Sequence, residues 1–179
     1  MFLLHFANGA WRDWSDYHGG FSRRVWVDGK ANHDAYGAFR VDFPFSEHIL
    51  TRGLKPFVTT DELYCSQVGR DAVTPLLTAV SKVTGKVEPL AYTYTSGRGV
   101  VVQTLLGHDA GAVLTPEHAE FIRRGVAYAA GREVLQFPLQ QVTAKPVVAA
   151  GKGGMSVDLR SGALRLSEST NLATLPVRI

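Results

Sequence analysis

Two side chains able to move a proton or hold a metal, His108 and Asp109, close the run Val100-Val101-Val102-Gln103-Thr104-Leu105-Leu106-Gly107-His108-Asp109. A histidine titrates near neutrality and serves as base, acid or ligand, and an adjacent carboxylate can orient it. The β-branched run reads as a strand that stops at Gly107. It therefore delivers the pair to a strand's carboxyl end, where ligands bind in open α/β sheets. The chain opens in the same way: Phe2-Leu3-Leu4-His5-Phe6 is an apolar strand with an embedded histidine, broken at Ala7-Asn8-Gly9-Ala10. Two strands that end in polar residues and glycine imply one shared site. His33-Asp34 sits in a loop without an apolar period, where packing explains it poorly. Asp61-Glu62 follows a strand-like run, so that Glu62 can meet His108 and Tyr64 lies beside them. Each also has a plainer reading: His108 can cap a strand end, His5 can be a satisfied core histidine, and Asp61-Glu62 can be a solvated turn.

The elements that must carry these residues follow from pattern. Asp13 can cap a short helix with Trp14, Tyr17 and Phe21 at helical spacing, weakened by Gly19-Gly20. Residues 26–37 read as a loop. Ala38 to Phe43 alternates as a strand that Pro44 ends, and further strands are expected at 75–82, 89–95 and 99–106. Ser96-Gly97-Arg98-Gly99 suits a hairpin between the last two. Thr115-Pro116-Glu117 reads as a helix start, with Phe121, Ile122, Val126 and Tyr128-Ala129 as the apolar face and Gly131 as a left-handed stop. The α/β domain is therefore expected over 1–131. Residues 132–179 form a loose extension, in which Val157 and Leu159, then Leu164 and Leu166, alternate around Arg160-Ser161-Gly162-Ala163 as a small hairpin. The Gly151-Lys152-Gly153-Gly154 run lacks the order of a phosphate loop and reads as a linker.

Composition narrows the classes. With 179 residues, 45% of them hydrophobic, the chain can bury one sizeable core. The net charge of +3 is dispersed, without the basic stripe that nucleic-acid binding requires. No stretch approaches the roughly 18 apolar residues of a spanning helix, so no membrane partner is expected. The single cysteine, Cys65, excludes an internal disulfide and reads as a small buried hydrophobe. It fits a reducing, cytoplasmic location, with export left open. His18, His48 and His118 are expected in surface or capping roles.

Taken in order, several segments carry a resemblance. They are His5-Phe6-Ala7-Asn8-Gly9-Ala10-Trp11 with Asp13-Trp14 and Tyr17, His33-Asp34 before Phe39-Arg40-Val41, and His48 with Thr51-Arg52-Gly53-Leu54. They continue with Thr60-Asp61-Glu62-Leu63-Tyr64, Leu105-Leu106-Gly107-His108-Asp109 and Arg124-Gly125-Val126-Ala127-Tyr128-Ala129-Ala130-Gly131. The chain resembles the ThuA-like (trehalose utilisation) family, a branch of the class I glutamine amidotransferase-like fold. The resemblance implies an α/β, flavodoxin-like sheet, here N-terminally incomplete because βα units that normally precede the first strand are absent. Losing them would expose a sheet edge and favour a homo-oligomer. It also gives His108 a position similar to the triad histidine of the amidotransferases. The elbow Ala7-Asn8-Gly9 carries no thiol or hydroxyl, so glutaminase chemistry by that route is not expected.

The resemblance implies a small-molecule sugar or oxidised sugar derivative as substrate in carbohydrate catabolism. Catalysis then falls to His108, Glu62 and His5, managing proton transfer without a covalent nucleophile. Asn8, Trp11, His33, Asp34, Tyr64 and Asp109 are the expected substrate contacts. Trp11 and Trp14 can stack on a sugar ring or belong to the core. No cofactor is required. Two alternatives stay open: the same histidines and carboxylate holding a divalent metal, and a non-catalytic module that pairs through its sheet edge.

Overall fold

The computed structural model describes residues 1–69 and 72–135, together with the strands 154–157, 164–167 and 172–174. The chain forms two compact units, Met1–Gln141 and Val142–Ile179.

The first unit is built on a four-stranded mixed sheet. Its strands are β1 (Phe2–Leu4), β6 (Thr74–Val80), β7 (Val87–Ser96) and β8 (Gly99–Thr104), in the order β1-β8-β7-β6. β1 runs parallel to β8, with Phe2 opposite Val102 and Leu4 opposite Thr104. The β7–β8 and β6–β7 pairs are antiparallel. The β7–β8 turn follows the expected Ser96–Gly99 tetrad, and Gly97 takes φ +56°, a conformation that costs glycine little.

Alternation along these strands divides the core in two. Phe2, Val102, Leu90, Leu76 and Leu106 belong to one cluster with Phe121 of the helix α2 (Pro116–Ala129). Leu3, Val101, Tyr92, Tyr94 and Leu105 belong to the other, with Tyr17 and Tyr64. The sheet is covered on both faces, as period-two side-chain direction requires. α2 begins as the Thr115-Pro116-Glu117 signal predicts, and Gly131 closes it at φ +66° with Gly131 N–H donating to Tyr128 and Arg132 N–H to Ala127.

Smaller pieces rim the sheet. β2 (Asn32–His33) pairs with β5 (Tyr64–Cys65), and β3 (Gly37–Val41) pairs antiparallel with β4 (Phe57–Asp61). Bridges at Val25–Val68 and Asp42–Thr78 tie them in. In the second unit β9 (Gly154–Val157), β10 (Leu164–Ser167) and β11 (Leu172–Thr174) form an antiparallel sheet in the order β11-β10-β9. The turn read at Arg160–Ala163 and the glycines at 151 and 153 lie outside the described residues.

Four sequence expectations change. The first strand stops at Leu4, and His5 opens a 3-10 turn (His5–Gly9) with φ +47° instead of extending the strand. The helix expected after Asp13 is a short turn with π-helical geometry at Tyr17–Phe21, which still stacks Trp14, Tyr17 and Phe21. An unexpected helix, α1 (Ala110–Leu114), follows Asp109. His118 is fully buried on α2 and not at the surface. Its Nδ1–H donates to the Ala112 carbonyl, and its Nε2 accepts from Thr104 Oγ1, so it bonds α2 to α1 and β8.

Candidate active site

β1 and β8 end side by side, and the turns that follow carry His5 and His108. Left-handed backbone at a non-glycine residue is costly and persists only where surrounding contacts fix it. His5 has those contacts. Its Nδ1 lies 2.8 Å from the Leu105 carbonyl oxygen, an acceptor only, so Nδ1 carries the proton. Nε2 then accepts from the Tyr64 hydroxyl at 3.0 Å. Burial first, then the charges of Glu62 and Asp61, push the Tyr64 hydroxyl well above its usual range, so it remains a donor.

On the β8 side, Gly107 takes φ +125° and lets the chain turn with Leu4 and His5 packed close by. The fully buried carboxylate of Asp61, at the end of β4, fixes this turn. It accepts from Gly107 N–H at 2.7 Å, His108 N–H at 3.2 Å and Glu62 N–H at 2.7 Å. The next residue, Glu62, places Oε2 3.2 Å from His108 Nδ1 and Oε1 3.9 Å from His33 Nδ1. The His5 and His108 rings meet edge to face at 5.7 Å, and His108 remains 45% exposed. Ligand atoms of His5, Glu62 and His108 all lie within 4.8 Å of one another.

The structure therefore gathers His5, Glu62, His108, His33 and Tyr64 into one cluster. The other expected contacts have partners of their own. Asp34 is buried and accepts from Ser81 Oγ at 2.6 Å, Lys82 N–H at 2.7 Å and Val83 N–H at 3.2 Å. Burial alone would raise its carboxyl, but these bonds outweigh it and hold the group below the usual range. That carboxylate anchors the turn after β6. Asp109 caps α1 by accepting from Ala112 N–H at 2.9 Å, and accepts from the Tyr36 hydroxyl, whose ring stands 5.5 Å from His108. The Tyr36 bond first, then the cap, holds the Asp109 carboxyl below its usual range. Asn8 is buried against Gln67, with its Oδ1 unpartnered. Trp11 is 60% exposed on Tyr17 and Trp14, outside the core.

Three contributors escaped sequence reasoning. Asp61 read as half of a solvated turn. Tyr36 lacked any pattern. Trp26, whose ring lies 4.9 Å from Tyr64 and 5.9 Å from His33, sat in a run read only as loop.

A family model described as ThuA, trehalose utilisation, matches residues 2–129. The chain belongs to the ThuA family. A ThuA-like protein from Parabacteroides merdae shares the fold, with a TM-score of 0.61 and 22% identity over 76% of this chain and 62% of that one. This ThuA-family chain thus spans less than two thirds of that structure. No curated protein matches it. The mixed α/β architecture agrees with the flavodoxin-like, amidotransferase-like class. Among the described residues no helix is long and apolar enough to cross a membrane.

Proposed function

We propose that this ThuA-family chain binds a sugar or oxidised sugar derivative where β1 and β8 end, and moves a proton at its carbonyl or hydroxyl group without a covalent nucleophile. One observation carries the reading: Glu62 Oε2 lies 3.2 Å from Nδ1 of a half-exposed His108, with His5 edge-on to it. A carboxylate at Nδ1 orients the imidazole and leaves Nε2 to take up or return a proton on the open side. Alignment of such pairs commonly tightens only around a substrate. Tyr64 is the neutral donor that faces His5 and can hold a developing oxyanion. The turn His5–Gly9 offers no thiol or hydroxyl, and the thiol of Cys65 is buried and pushed up by that burial.

Thermal melts with a panel of monosaccharides, disaccharides and their keto derivatives test the binding half. One sugar class is expected to raise the midpoint for the native sequence, and to do so less for His108→Ala and Glu62→Gln. No shift with any sugar would contradict the reading.

A second reading has its own observation, the convergence of His5, Glu62 and His108 ligand atoms within 4.8 Å. A backbone carbonyl holds His5 Nδ1–H and leaves Nε2 as the ligating atom, which would exchange its bond from the Tyr64 hydroxyl for the metal. A divalent transition metal with three protein ligands would keep an open position for a sugar oxygen. Metal content of protein purified without chelator or affinity tag decides it: near one equivalent supports it, and less than about a tenth of an equivalent ends it.

A further inference from the structure

We infer that Tyr36 is a positioning residue of this site: tied through Asp109 to the start of α1, its ring keeps the His108 imidazole in the orientation that sets Nδ1 against Glu62. The inference rests on reading Glu62 and His108 as a proton-transfer pair. His108 needs such a hold. Its side chain is 45% exposed, and one carboxylate at 3.2 Å leaves a half-exposed side chain much of its rotamer freedom. Two rings stand beside the imidazole, His5 edge to face at 5.7 Å and Tyr36 tilted by 55° at 5.5 Å. His5 is fixed by Leu105 and Tyr64. Tyr36 is nearly half exposed, so packing alone does not fix it.

The chain fixes Tyr36 from both sides and at its tip. Two residues before it, the buried carboxylate of Asp34 accepts from Ser81, Lys82 and Val83, and Asp34 N–H donates to the Leu63 carbonyl at 2.9 Å. One residue after it, Gly37 opens β3 opposite Asp61, the acid that accepts from His108 N–H. At the tip the hydroxyl donates to Asp109 Oδ2, while Asp109 Oδ1 accepts from Ala112 N–H and caps α1. Asp109 follows His108 in the chain, so Tyr36 is tied to the neighbour of the residue whose ring it flanks. Anchoring of this kind matters for chemistry. Reacting groups need placing within about 0.5 Å and 10–20°, and a shift of about 1 Å can cost about 10²-fold in rate.

Nitrogen-15 NMR of the histidine side chains reads the orientation without a substrate, in the native sequence, Tyr36→Ala, Tyr36→Phe and Glu62→Ala. The His108 signals are assigned by their absence from His108→Ala. At about pH 8, where an ordinary imidazole is neutral, the native ring should show the Nδ1–H tautomer that Glu62 accepts from. Glu62→Ala should lose this signature. Tyr36→Ala should lose it too, giving averaged shifts of the two tautomers, and Tyr36→Phe, which keeps the ring without its anchor, should lose part of it. Melting midpoints should stay within a few degrees, since the ring removed is exposed. Full retention of the Nδ1–H signature in either Tyr36 variant overturns the inference and leaves the Glu62–His108 pair standing. An Nε2–H or averaged signature already present in the native sequence overturns both.

Discussion

Asp61 holds the backbone of His108 while its neighbour Glu62 faces the imidazole: Asp61 accepts from His108 N–H at 3.2 Å, and Glu62 Oε2 lies 3.2 Å from His108 Nδ1. Two consecutive acids from the end of β4 thus set both the position and the charge environment of one histidine on the turn after β8. The first acid is buried and positions; the second is partly exposed and faces the site.

Asp61→Asn separates those roles. The amide would turn an N–H₂ toward the donors of Gly107 or His108, which leaves a buried donor unpaired. Hydrogen bonds to charged groups are worth about 1.5–3 kcal/mol each, so a loss of about 2 kcal/mol or more is expected in denaturant unfolding. Turnover should fall with it.

Glu62→Gln and His108→Ala should behave differently. Half-exposed His108 packs little, so its loss should move the melting midpoint by only a few degrees. Removing a general acid–base group should cost about 10²–10⁴-fold in rate. Steady-state assays beside thermal melts check both.

Asp34→Ala tests whether Asp34 anchors the turn after β6 or meets the sugar. Three donors converge on this buried carboxylate, so the variant is expected to lose about 2 kcal/mol or more by urea unfolding. A variant of native stability with weakened sugar binding would return Asp34 to the site.

Stability should also depend on pH through His118. Burial depresses its pKa below 6.5, with its bond to Ala112 opposing, and burial depresses His48 as well. A depressed folded-state pKa means the unfolded chain takes up the proton first. The contribution is therefore fully present above pH 6.5 and lost as pH falls below it toward the folded-state values. Unfolding midpoints between pH 8 and 5 should decline over the acid half, and the His118 imidazole resonances should titrate below pH 6.5.

Gly125 carries the contact between α2 and β1. A Cβ there would stand 2.6 Å from Phe2 Cε2 and 3.1 Å from Val102 Cγ1. Gly125→Ala gains helix propensity but overpacks this crossing, at a net cost of about 1–2 kcal/mol by chemical denaturation.

Much of this was legible in sequence. The β-branched run ending at Gly107 placed His108, the Ser96–Gly99 tetrad gave the hairpin, and the Thr115-Pro116-Glu117 signal gave α2, because each is a local pattern with a local cause. His5 and His108 were paired because both their strands end in polar residues and glycine, and Glu62 joined them because it follows a strand-like run. What stayed hidden depends on contacts distant in sequence. Nothing near Asp34 tells that Ser81, Lys82 and Val83 will close on it, and nothing near His118 announces Thr104 and Ala112 as its partners. The left-handed backbone of His5 hid for the same reason, since Leu105 and Tyr64 fix it from far along the chain.

The most direct measurement is deuterium wash-in, by proton NMR in D₂O, at the carbon beside the carbonyl of a keto-sugar that binds. The native sequence should exchange that hydrogen well above the buffer rate, and His108→Ala, folded by its melt, should not. Exchange at the buffer rate in both, or at the same enzymatic rate in both, would contradict proton transfer by the Glu62–His108 pair.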